Sequence, residues 1–394
     1  MKYGLVQLGD LGEIVSGSTP DTSNKTYWGG EIPWITPADL TDHEGIYFNG
    51  NLRKITQSGY KSCSTKLLPE GSIIFSSRAP IGHSAVTAFP LCTNQGFKSI
   101  IPNDRLHSIY GFYALKFFTP QIESLGRGAT FTEVNKEIFE NIRIPLPPLP
   151  EQQRIAAILQ KADRLRRLRR YARRLSDTYL QSVFLEMFGD ISANSKNWKI
   201  KNLRNVSLIF SDGPFGSDLK SEHYKEIGVR VIRLQNVGVG ELIDDDKAYV
   251  SVEHFESLRK QGCLPGDVII GTLGDPNLRA CILPDDISIA LNKADCIQMR
   301  VNPKEMTKEY ACWLLNMPQT LFLATGMIHG QTRSRINMGR LAELEIPVPP
   351  LAKQECFVHV VNRYKFLKVQ ERESERQAEH LFQSLLEQAF QGEL

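Results

Sequence analysis

Cysteine and histidine are the side chains that most often bind metals or carry redox chemistry, and their spacing offers little here. The seven cysteines are scattered, odd in number and never spaced as C-x-x-C, and the eight histidines lie apart in the sequence. This pattern indicates neither a disulfide framework nor a zinc site, and it favours buried free thiols. The cysteines are Cys63, Cys92, Cys263, Cys281, Cys296, Cys312 and Cys356.

Glycine-rich loops that hold phosphates are a second source of chemistry. No G-x-x-x-x-G-K-[ST] loop is present, so the sequence gives no local signal for a site that binds the phosphates of ATP. The stretch VGVG at residues 237–240 contains G-x-G but lacks the third glycine of a dinucleotide loop. A turn is therefore the preferred interpretation of that stretch. An enzyme whose catalytic residues are distant in sequence stays open as an alternative.

Length and charge limit the class of protein. The 394 residues fit two domains of about 150 residues each plus connecting structure. A net charge of only +3 excludes a uniformly basic nucleic-acid binder, so any contact with DNA must come from local patches. No apolar run reaches the roughly 18 residues of a membrane helix, and the beginning MKYGLVQLGD lacks a signal-peptide core. We therefore expect a cytoplasmic protein.

One proline-rich segment occurs twice. IRIPLPPLPEQQRIAAIL begins at Ile142, and LEIPVPPLAKQECFVHVV begins 202 residues later at Leu344. At the same offset GATFTEVN (128–135) aligns with GQTRSRIN (330–337), and the match continues without a gap to Phe188 and Phe390. An internal repeat at about half the chain length predicts two copies of one fold.

Upstream of this segment the two halves match more weakly. LLPEGSIIFSS (67–77) resembles CLPGDVIIGT (263–272), and short β-rich runs bounded by glycine or proline predict strands in both halves. SIYGFYALKFF and KEYACWLLNM predict helices by length and spacing. A similar framework that carries different side chains predicts two α+β domains that recognise different targets.

After each proline-rich segment the hydrophobic period becomes helical. The first helix is predicted over residues 151–188, a length of about 57 Å, with Pro150 and Glu151 suited to its first turn. A narrow apolar stripe on each helix favours one partner helix, so we predict that the two pair antiparallel. The predicted seam comprises Ile158, Leu165, Leu168, Ala172, Leu175 and Tyr179 on the first helix, and Val360, Tyr364, Leu367, Ala378, Leu381 and Leu385 on the second.

The charges on the two helices agree with this pairing. The first helix has nine basic and four acidic residues, and antiparallel pairing brings residues 166–174 opposite Glu371, Glu373, Glu375 and Glu379. The arginine run is therefore interpreted as structural, with DNA contact as the alternative. The second helix begins PPLAKQEC where the first begins PPLPEQQR. Because it lacks the proline and the first acidic residue, we expect its start to be less sharply fixed.

Two similar domains on a pair of long helices would form a caliper of approximate two-fold symmetry. A spacer of up to about 57 Å suits two DNA-reading domains held one duplex turn, about 34 Å, or slightly more apart. The whole chain resembles the specificity (S) subunit of type I restriction-modification enzymes. The residues that carry the resemblance are LGDLGEIVSGSTPDTSNKTYWGGEIPWITPADL, the paired IPLPPLPEQQRIAAIL and IPVPPLAKQ, and SDGPFGSDLKSEHYKEIGVRVIRLQNVGVG.

The resemblance implies an α+β chain with two similar α/β target recognition domains, at 1–149 and 190–350. A central conserved helix at 150–189 and a C-terminal conserved helix at 351–394 would form an antiparallel coiled coil with a pseudo-two-fold internal repeat. The implied function is non-catalytic: the chain binds an asymmetric, bipartite DNA target and positions two methyltransferase (M) subunits. Restriction (R) subunits are a further implied partner.

The cofactors implied by the resemblance belong to the partners. The M subunits would use S-adenosylmethionine to methylate adenine, and the R subunits would use ATP and Mg²⁺, so we expect no cofactor and no metal in this chain. The sequence agrees, because it contains neither NPPY nor DPPY, the tetrapeptides that would hold a flipped adenine.

Polar side chains in turn-rich loops are the candidates for reading bases. Arginine and lysine suit guanine, asparagine and glutamine suit adenine, and loops on a rigid scaffold can enter a groove. The candidates in the first domain are Thr19, Tyr27, Trp28, Arg78, Asn94, Gln95 and Lys98. Those in the second domain are Arg233, Asn236, Arg279, Asn292, Lys293, Arg333 and Arg335. Each could instead be a solvated surface residue or a turn cap.

A scaffold that does not bind DNA is the main alternative function. In that reading two protein-binding modules sit on a coiled-coil strut, and the weak overall charge favours it. Divergent loops rich in arginine, asparagine and glutamine on a duplicated framework favour DNA instead.

Overall fold

The computed structural model is a mixed helix and sheet structure that divides into two compact units. It describes residues 2–50, 53–78, 80–126, 133–214, 218–274, 276–325, 328–329 and 335–394. Unit 1 comprises Met1–Ala172 and Glu371–Leu394, and unit 2 comprises Arg173–Gln370. The predicted DNA-reading residue Arg333 and much of the repeated segments at 128–135 and 330–337 lie outside the described residues.

Unit 1 is built from short strands and four helices in its first 172 residues, together with the end of the last helix. The strands are β1 (Leu5–Gln7), β2 (Gly12–Ser16), β3 (Trp28–Ile35), β4 (Tyr47–Phe48), β5 (Arg53–Ile55), β6 (Ile73–Phe75), β7 (Ser84–Thr87), β8 (Cys92–Thr93), β9 (Lys98–Pro102) and β10 (Arg143–Pro145). The helices are α1 (Gln57–Lys61), α2 (Ser108–Ser124), α3 (Lys136–Glu140) and α4 (Leu149–Asp177).

Unit 2 repeats the alternation of short strands and helices. Its strands are β11 (Lys199–Asn202), β12 (Ser207–Asp212), β13 (Tyr224–Lys225), β14 (Val229–Ile232), β15 (Ala248–Val250), β16 (Gly262–Cys263), β17 (Val268–Gly271), β18 (Arg279–Ile282), β19 (Ala290–Asn292), β20 (Cys296–Val301), β21 (Ile328–His329), β22 (Arg335–Ile336) and β23 (Glu345–Val348). Its helices are α5 (Tyr179–Phe188), α6 (Val252–Ser257), α7 (Lys308–Leu315), α8 (Pro318–Thr325), α9 (Met338–Ala342) and α10 (Leu351–Gln391), the last of which ends in unit 1.

The main sheets of the two units share their pairing pattern. In unit 1 the order is β2-β9-β6-β7-β4, beside a smaller β5-β3-β8 sheet. In unit 2 the orders are β12-β20-β17-β18 and β13-β15-β14-β19-β16. A parallel pair occurs in the second sheet of each unit, β3 with β8 and β14 with β19, among otherwise mainly antiparallel neighbours. The strands and helices predicted from the sequence in both halves are confirmed.

The long helices contribute directly to the core of each unit. In unit 1, apolar residues of α4 and α10 join those of α2 in one buried cluster, among them Leu159 and Phe382. In unit 2, α5 and the first part of α10 join α7, through residues such as Phe184 and Phe357. Because the helices complete the cores, they are part of each fold rather than attachments to it.

Within each unit the two long helices run antiparallel. In unit 1, Arg166 lies 3.1 Å from Glu379, and Arg170 lies 3.9 Å from Glu375. In unit 2 the rings of Tyr179 and Tyr364 lie 6.1 Å apart, while those of Phe188 and Phe357 lie 5.5 Å apart. In both places, rising numbers on one helix meet falling numbers on the other.

The predicted charge pairing is confirmed for Glu375 and Glu379. Glu373 differs, because it pairs with Arg376 on its own helix at 2.7 Å. The single helix predicted over residues 151–188 is not observed. The helix begins at Leu149 and is interrupted at Thr178, so this part of the chain forms two helices, α4 and α5.

The start of α10 is as well fixed as that of α4, contrary to expectation. The backbone N–H of Lys353 donates to the carbonyl oxygen of Pro350 at 2.9 Å, as the N–H of Glu151 donates to Pro148 at 2.9 Å. This backbone hydrogen bond closes the first turn of each helix, and it forms with Lys353 as it does with Glu151.

The buried stripe differs from the predicted seam. Tyr364 and Ala378 are buried, and Ile158, Val360 and Leu385 are half-buried. Seven predicted seam residues are instead exposed: Leu165, Leu168, Ala172, Leu175, Tyr179, Leu367 and Leu381. Each helix half buries the face that meets the core of its own unit. Leucine spacing alone does not reveal that face, because it is chosen by the neighbouring sheet and helix.

A buried glutamine fixes the start of α4. Gln152 is 1% exposed, and its Nε2 donates to the carbonyl oxygens of Arg105 and Pro147 at 2.9 Å each. Its Oε1 accepts a bond from the backbone N–H of His107 at 2.9 Å. One side chain thus satisfies three backbone groups at the beginning of α2 and α4.

Gln354 does the same for α10 in unit 2. It is fully buried, donates to the carbonyl oxygens of Glu305 and Pro349 at 3.2 and 2.8 Å, and accepts from the N–H of Thr307 at 2.8 Å. Sequence reasoning did not single out either glutamine. The available signal was the glutamine at the same position in PPLPEQ and PPLAKQ.

Replacing Gln152 by alanine should lower the free energy of unfolding by about 1 to 3 kcal/mol, because buried backbone groups lose their partner. Urea unfolding of the full chain measures this. Gln153→Ala is the matched control, since Gln153 is exposed and adjacent. Equal stability of the two variants would contradict the anchoring role.

A buried ion network links α4 to α10 in unit 1. Asp163 is 2% exposed and lies 2.7 Å from Arg166 and 3.2 Å from Arg167. The Arg166 guanidinium also lies 3.9 Å from the centroid of the Phe382 ring. Burial alone would raise the pKa of Glu379, but the bond from Gln383 and the Arg166 cation hold that pKa below its ordinary value.

Arg166→Leu should destabilise the protein by about 3 to 5 kcal/mol, because the Asp163 carboxylate is left buried without its closest cation. Arg169→Ala, on the exposed side of the same helix, should have little effect. A lowered carboxyl pKa contributes stability above its unfolded value and loses it as the pH falls. The difference in the free energy of unfolding between wild type and Arg166→Leu, measured in urea, should therefore become smaller as the pH falls and Glu379 is protonated. A difference that does not change with pH would contradict the role of the network.

Candidate nucleic-acid interface

In unit 1 the turn between β8 and β9 brings several strand ends together. The backbone N–H of Asn94 donates to Ile35 at the end of β3, at 3.0 Å. Ser77, which follows β6, donates its N–H to Gly96 at 2.8 Å. Val134 in turn donates its N–H to Ser77 at 2.9 Å. The predicted residues Arg78, Asn94, Gln95 and Lys98 therefore share one edge of the unit.

Thr19 belongs to the same edge. Its hydroxyl donates to the side-chain carbonyl of Gln95, and the N–H of Ser18 donates to Thr93 at 2.9 Å. The close approach needs a glycine, because a Cβ on Gly17 would lie 2.0 Å from the carbonyl oxygen of Asn94.

Two of the candidates in unit 1 hold the edge together. Asn94 caps the turn by accepting the N–H of Gly96 at 2.9 Å. Lys98 is buried and pairs with Glu133 at 3.3 Å. Gln95 is exposed, and Arg78 is half-buried beside Glu133. Gln95 and Arg78 are therefore the candidates best placed to meet a ligand.

Trp28 is the first residue of β3 and Tyr27 precedes it, and both pack within the unit. The indole N–H of Trp28 donates to the carbonyl of Asp21 at 3.2 Å, and its ring meets Trp34 edge-on at 5.1 Å. Tyr27 accepts the N–H of Thr56 on its backbone oxygen at 2.9 Å. Trp34 joins this group to the interface, because its N–H donates to the carbonyl of Ser18 at 3.0 Å.

The same backbone connections occur in unit 2. Lys293 donates its N–H to Ile232 at the end of β14 at 2.9 Å, and Thr272 after β17 donates to Asp295 at 3.0 Å. Ile336 donates its N–H to Thr272 at 3.1 Å. Gly213 matches Gly17, since a Cβ there would lie 2.4 Å from the backbone carbon of Lys293. Each unit thus presents one edge made from equivalent strand ends.

Asparagine again caps the turns in unit 2. Asn236 is buried and donates to the carbonyls of Ile243 and Asp246 at 3.0 and 2.9 Å. Asn292 is also buried and donates to the carbonyl of Cys296 at 2.9 Å. Both side chains hold the loops in shape, which is the alternative named for them from the sequence.

The Arg279 side chain is hydrogen-bonded to backbone carbonyl groups. Its guanidinium donates to four carbonyl oxygens, at 2.7 to 3.0 Å: those of Val237, Leu273, Pro276 and Leu234. A guanidinium has five N–H donors, and a guanine needs two of them. Arg279 therefore fixes the loops that frame the edge, and these four bonds leave one of its N–H donors, fewer than a paired contact with guanine uses.

Among the described residues, three more of the predicted cations of unit 2 lie at this edge. Arg233 pairs with Asp246 at 2.6 Å, and Arg335 pairs with Asp295 at 3.2 Å. Lys293 is half-buried, with its ammonium 5.5 Å from the centroid of the Tyr224 ring. Charged donors beside turns are suited to phosphate or base contacts.

Asp212 is a residue of this edge that sequence reasoning missed. Burial raises its pKa, Asp295 acts in the same direction, and Arg335 opposes them. Its Oδ1 is buried and has no hydrogen-bond partner among the described residues. A carboxylate can accept a bond from the amino group of cytosine. Its signal in the sequence was an acidic residue before the glycine and proline of SDGP.

The part of the chain that the structure describes contains no candidate metal site. No group of three or more histidine, cysteine, aspartate or glutamate residues there could hold a metal ion. All seven cysteines are free; Cys63 is half-buried, Cys356 is exposed and the rest are buried. Burial raises the pKa of Cys92 to about 11 and that of Cys296 to about 12, so both are neutral thiols near pH 7. In the described residues no helix is long and apolar enough to cross a membrane.

Arg279→Ala should lower the free energy of unfolding by about 1 to 3 kcal/mol, because four carbonyls lose their donor. The loss is measured by urea unfolding and should not be recovered by Arg279→Lys, which cannot reproduce the fork of donors. Arg259→Ala is the control, since Arg259 is exposed and pairs only locally with Glu256. Unchanged stability with altered DNA binding would instead restore Arg279 as a base-reading residue.

Known proteins resemble this chain in sequence. Residues 2–173 match the family model of the type I restriction modification DNA specificity domain. The MjaIX specificity subunit of Methanocaldococcus jannaschii is 39% identical over 214 residues, which are 53% of this chain and 47% of that protein. The HindI specificity subunit of Haemophilus influenzae is 32% identical over 162 residues, 39% of this chain and 35% of that protein. The chain thus spans about half the length, or less, of these curated relatives.

Solved structures share its fold over nearly the whole chain. A chain from a study of complex assembly and conformational transition in the type I R-M system matches with a TM-score of 0.65 and 19% identity, covering 100% of this chain and 98% of that one. The type I restriction-modification S subunit from M. genitalium matches with a TM-score of 0.55 and 15% identity, covering 99% and 96%. At these identities the likeness concerns the fold alone.

Proposed function

We propose that the chain is a member of the type I restriction-modification specificity family, and that it binds duplex DNA and sets the target sequence of such a system. One observation carries the proposal. In each unit, equivalent strand ends build an edge of fixed backbone shape that carries different polar side chains. A conserved shape with variable donors is the form expected of two domains that read different bases.

The proposed architecture has two target recognition domains, at 1–149 and 190–350, joined by the conserved helices at 150–189 and 351–394. The paired glutamines Gln152 and Gln354 support a duplication, because each makes the same three backbone contacts. The antiparallel contacts of the long helices within each unit support a coiled coil with a pseudo-two-fold axis.

The proposed base-reading and phosphate-binding residues are chosen by their exposure and by whether their side chains are already hydrogen-bonded to the backbone of the loops. In the first domain, Gln95 and Arg78 are proposed to contact DNA, with Thr19 holding Gln95. In the second, Lys293, Arg233 and Arg335 are proposed to contact DNA, with Asp212 as an acceptor. Asn94, Asn236, Asn292 and Lys98 hold the loops, and Tyr27 and Trp28 pack beside them.

The proposed partners supply the catalysis. Two methyltransferase subunits would bind S-adenosylmethionine and modify adenine within the bipartite target, and restriction subunits would use ATP and Mg²⁺. In this view the chain is a non-catalytic subunit, and its location is the cytoplasm. The alternative is a protein scaffold with two binding modules; the repeated edges with charged donors favour DNA.

The test is to co-express the chain with a type I methyltransferase subunit from the same genome and to map adenine methylation of the host DNA by long-read sequencing. We expect one asymmetric, bipartite motif with a fixed gap. A soluble complex that adds no methylation would favour the scaffold.

Lys293→Ala should relax only one half of that motif and cost about 1 to 3 kcal/mol in binding, because one charged donor is lost. Lys260→Ala is the control, since Lys260 is exposed on another turn of unit 2. Relaxation of both halves, or an equal effect of the control, would contradict the assignment.

A further inference from the structure

A basic groove in unit 1 lies apart from the residues proposed to read bases. Helix α4 forms one wall, and the loop at 43–49, which includes the two-residue strand β4, forms the other; the volume between them is about 690 Å³. The polar side chains that line it are His43, Asn49, Gln160, Lys161, Arg164 and Arg167.

The α4 wall of the groove carries three cations. Lys161, Arg164 and Arg167 follow one another at three-residue spacing, so they lie on one face of α4. The lining contains no carboxylate. Arg167 pairs with the buried Asp163 at 3.2 Å, whereas Lys161 and Arg164 are exposed and have no recorded partner within the described ranges. Two cations are therefore available to an anion.

The groove is preformed. Glu44 in the loop lies 3.4 Å from Arg170 on α4, and this pair joins the two walls. The His43 ring meets the Phe48 ring edge-on, with 5.4 Å between the ring centroids. Burial lowers the pKa of His43, and the Arg167 and Lys116 cations act in the same direction, as expected where the potential is positive. Asn49 and Gln160 add neutral donors.

One chain segment (36–49) contributes to both the groove and the edge of unit 1 proposed to read bases. At its start, Pro37 packs beside Gly96 of the central turn. It continues past Leu40, whose carbonyl lies 3.1 Å from Nδ1 of His83, and reaches the groove at His43.

We propose that this groove binds backbone phosphates of the duplex that unit 1 recognises; the inference rests on the proposed function. Duplex DNA is favoured because the groove offers two exposed cations and no carboxylate in its lining, which suits a phosphate backbone. Phosphate contacts fix position and add affinity, and they carry no sequence information.

The experiment uses the full complex with its methyltransferase subunits. Binding is measured by fluorescence anisotropy over a range of salt concentrations, on a duplex with the mapped motif and on a scrambled duplex. Lys161→Ala/Arg164→Ala should weaken binding to both duplexes equally and reduce the slope of log K against log salt by about 1.8, which is two phosphates at about 0.9 each. The methylated motif should stay unchanged.

The matched controls lie on the same helix. Arg169→Ala removes a cation from an exposed position five residues from Arg164 and should leave the slope unchanged. Arg164→Lys keeps the charge and should retain nearly the whole wild-type slope. A circular dichroism melt of each variant identifies any loss of folding.

Two results would overturn the inference while leaving the proposed function intact. The first is a double variant that behaves like Arg169→Ala although the wild-type complex binds its motif. The second is a double variant that assembles poorly with the methyltransferase subunits but, once assembled, binds DNA as wild type does, which would assign the groove to an acidic protein surface. Failure of the wild-type complex to prefer its motif would instead overturn the proposed function and this inference with it.

Discussion

The structure depends on a buried amide at the start of each long helix. Gln152 and Gln354 each satisfy three backbone groups that would otherwise be buried without partners. Leaving such groups unpaired is costly, so the direction in which each helix leaves its sheet is strongly determined. The helix then completes the core of the same unit through residues such as Leu159 and Phe357.

The basic residues of helix α4 lie on different faces of the helix. Arg166 and Arg170 turn toward α10 and pair with Glu379, while Lys161 and Arg164 face the groove beside the loop at 43–49. The arginine run at 166–174 was interpreted from the sequence as structural, and the pairs with Glu379 agree with that interpretation. The phosphate contact proposed above concerns Lys161 and Arg164, which precede the run.

The two polar edges show how a fixed framework carries variable chemistry. Asparagine, arginine and lysine were selected from the sequence as base-reading types, yet Asn236, Asn292 and Arg279 spend their donors on backbone carbonyls. Tight turns leave carbonyls that need such donors. Residue type alone cannot distinguish a donor that serves the loop from one that is free for a ligand. Gln95 differs from these residues by exposure, which is a tertiary property.

Reading the chain alone was enough to find the repeated proline-rich segments, several strands and helices of each half, and the partner acids Glu375 and Glu379 for the arginine run. These features follow from local periodicity, turn residues and charge, which a single chain displays directly. The break at Thr178, the buried face of each long helix, the backbone bonds of Arg279 and the groove beside Lys161 and Arg164 could be found only in the folded molecule. Each of these depends on which distant segment covers a side chain or satisfies a carbonyl, and that choice is made only when the sheets and helices pack together.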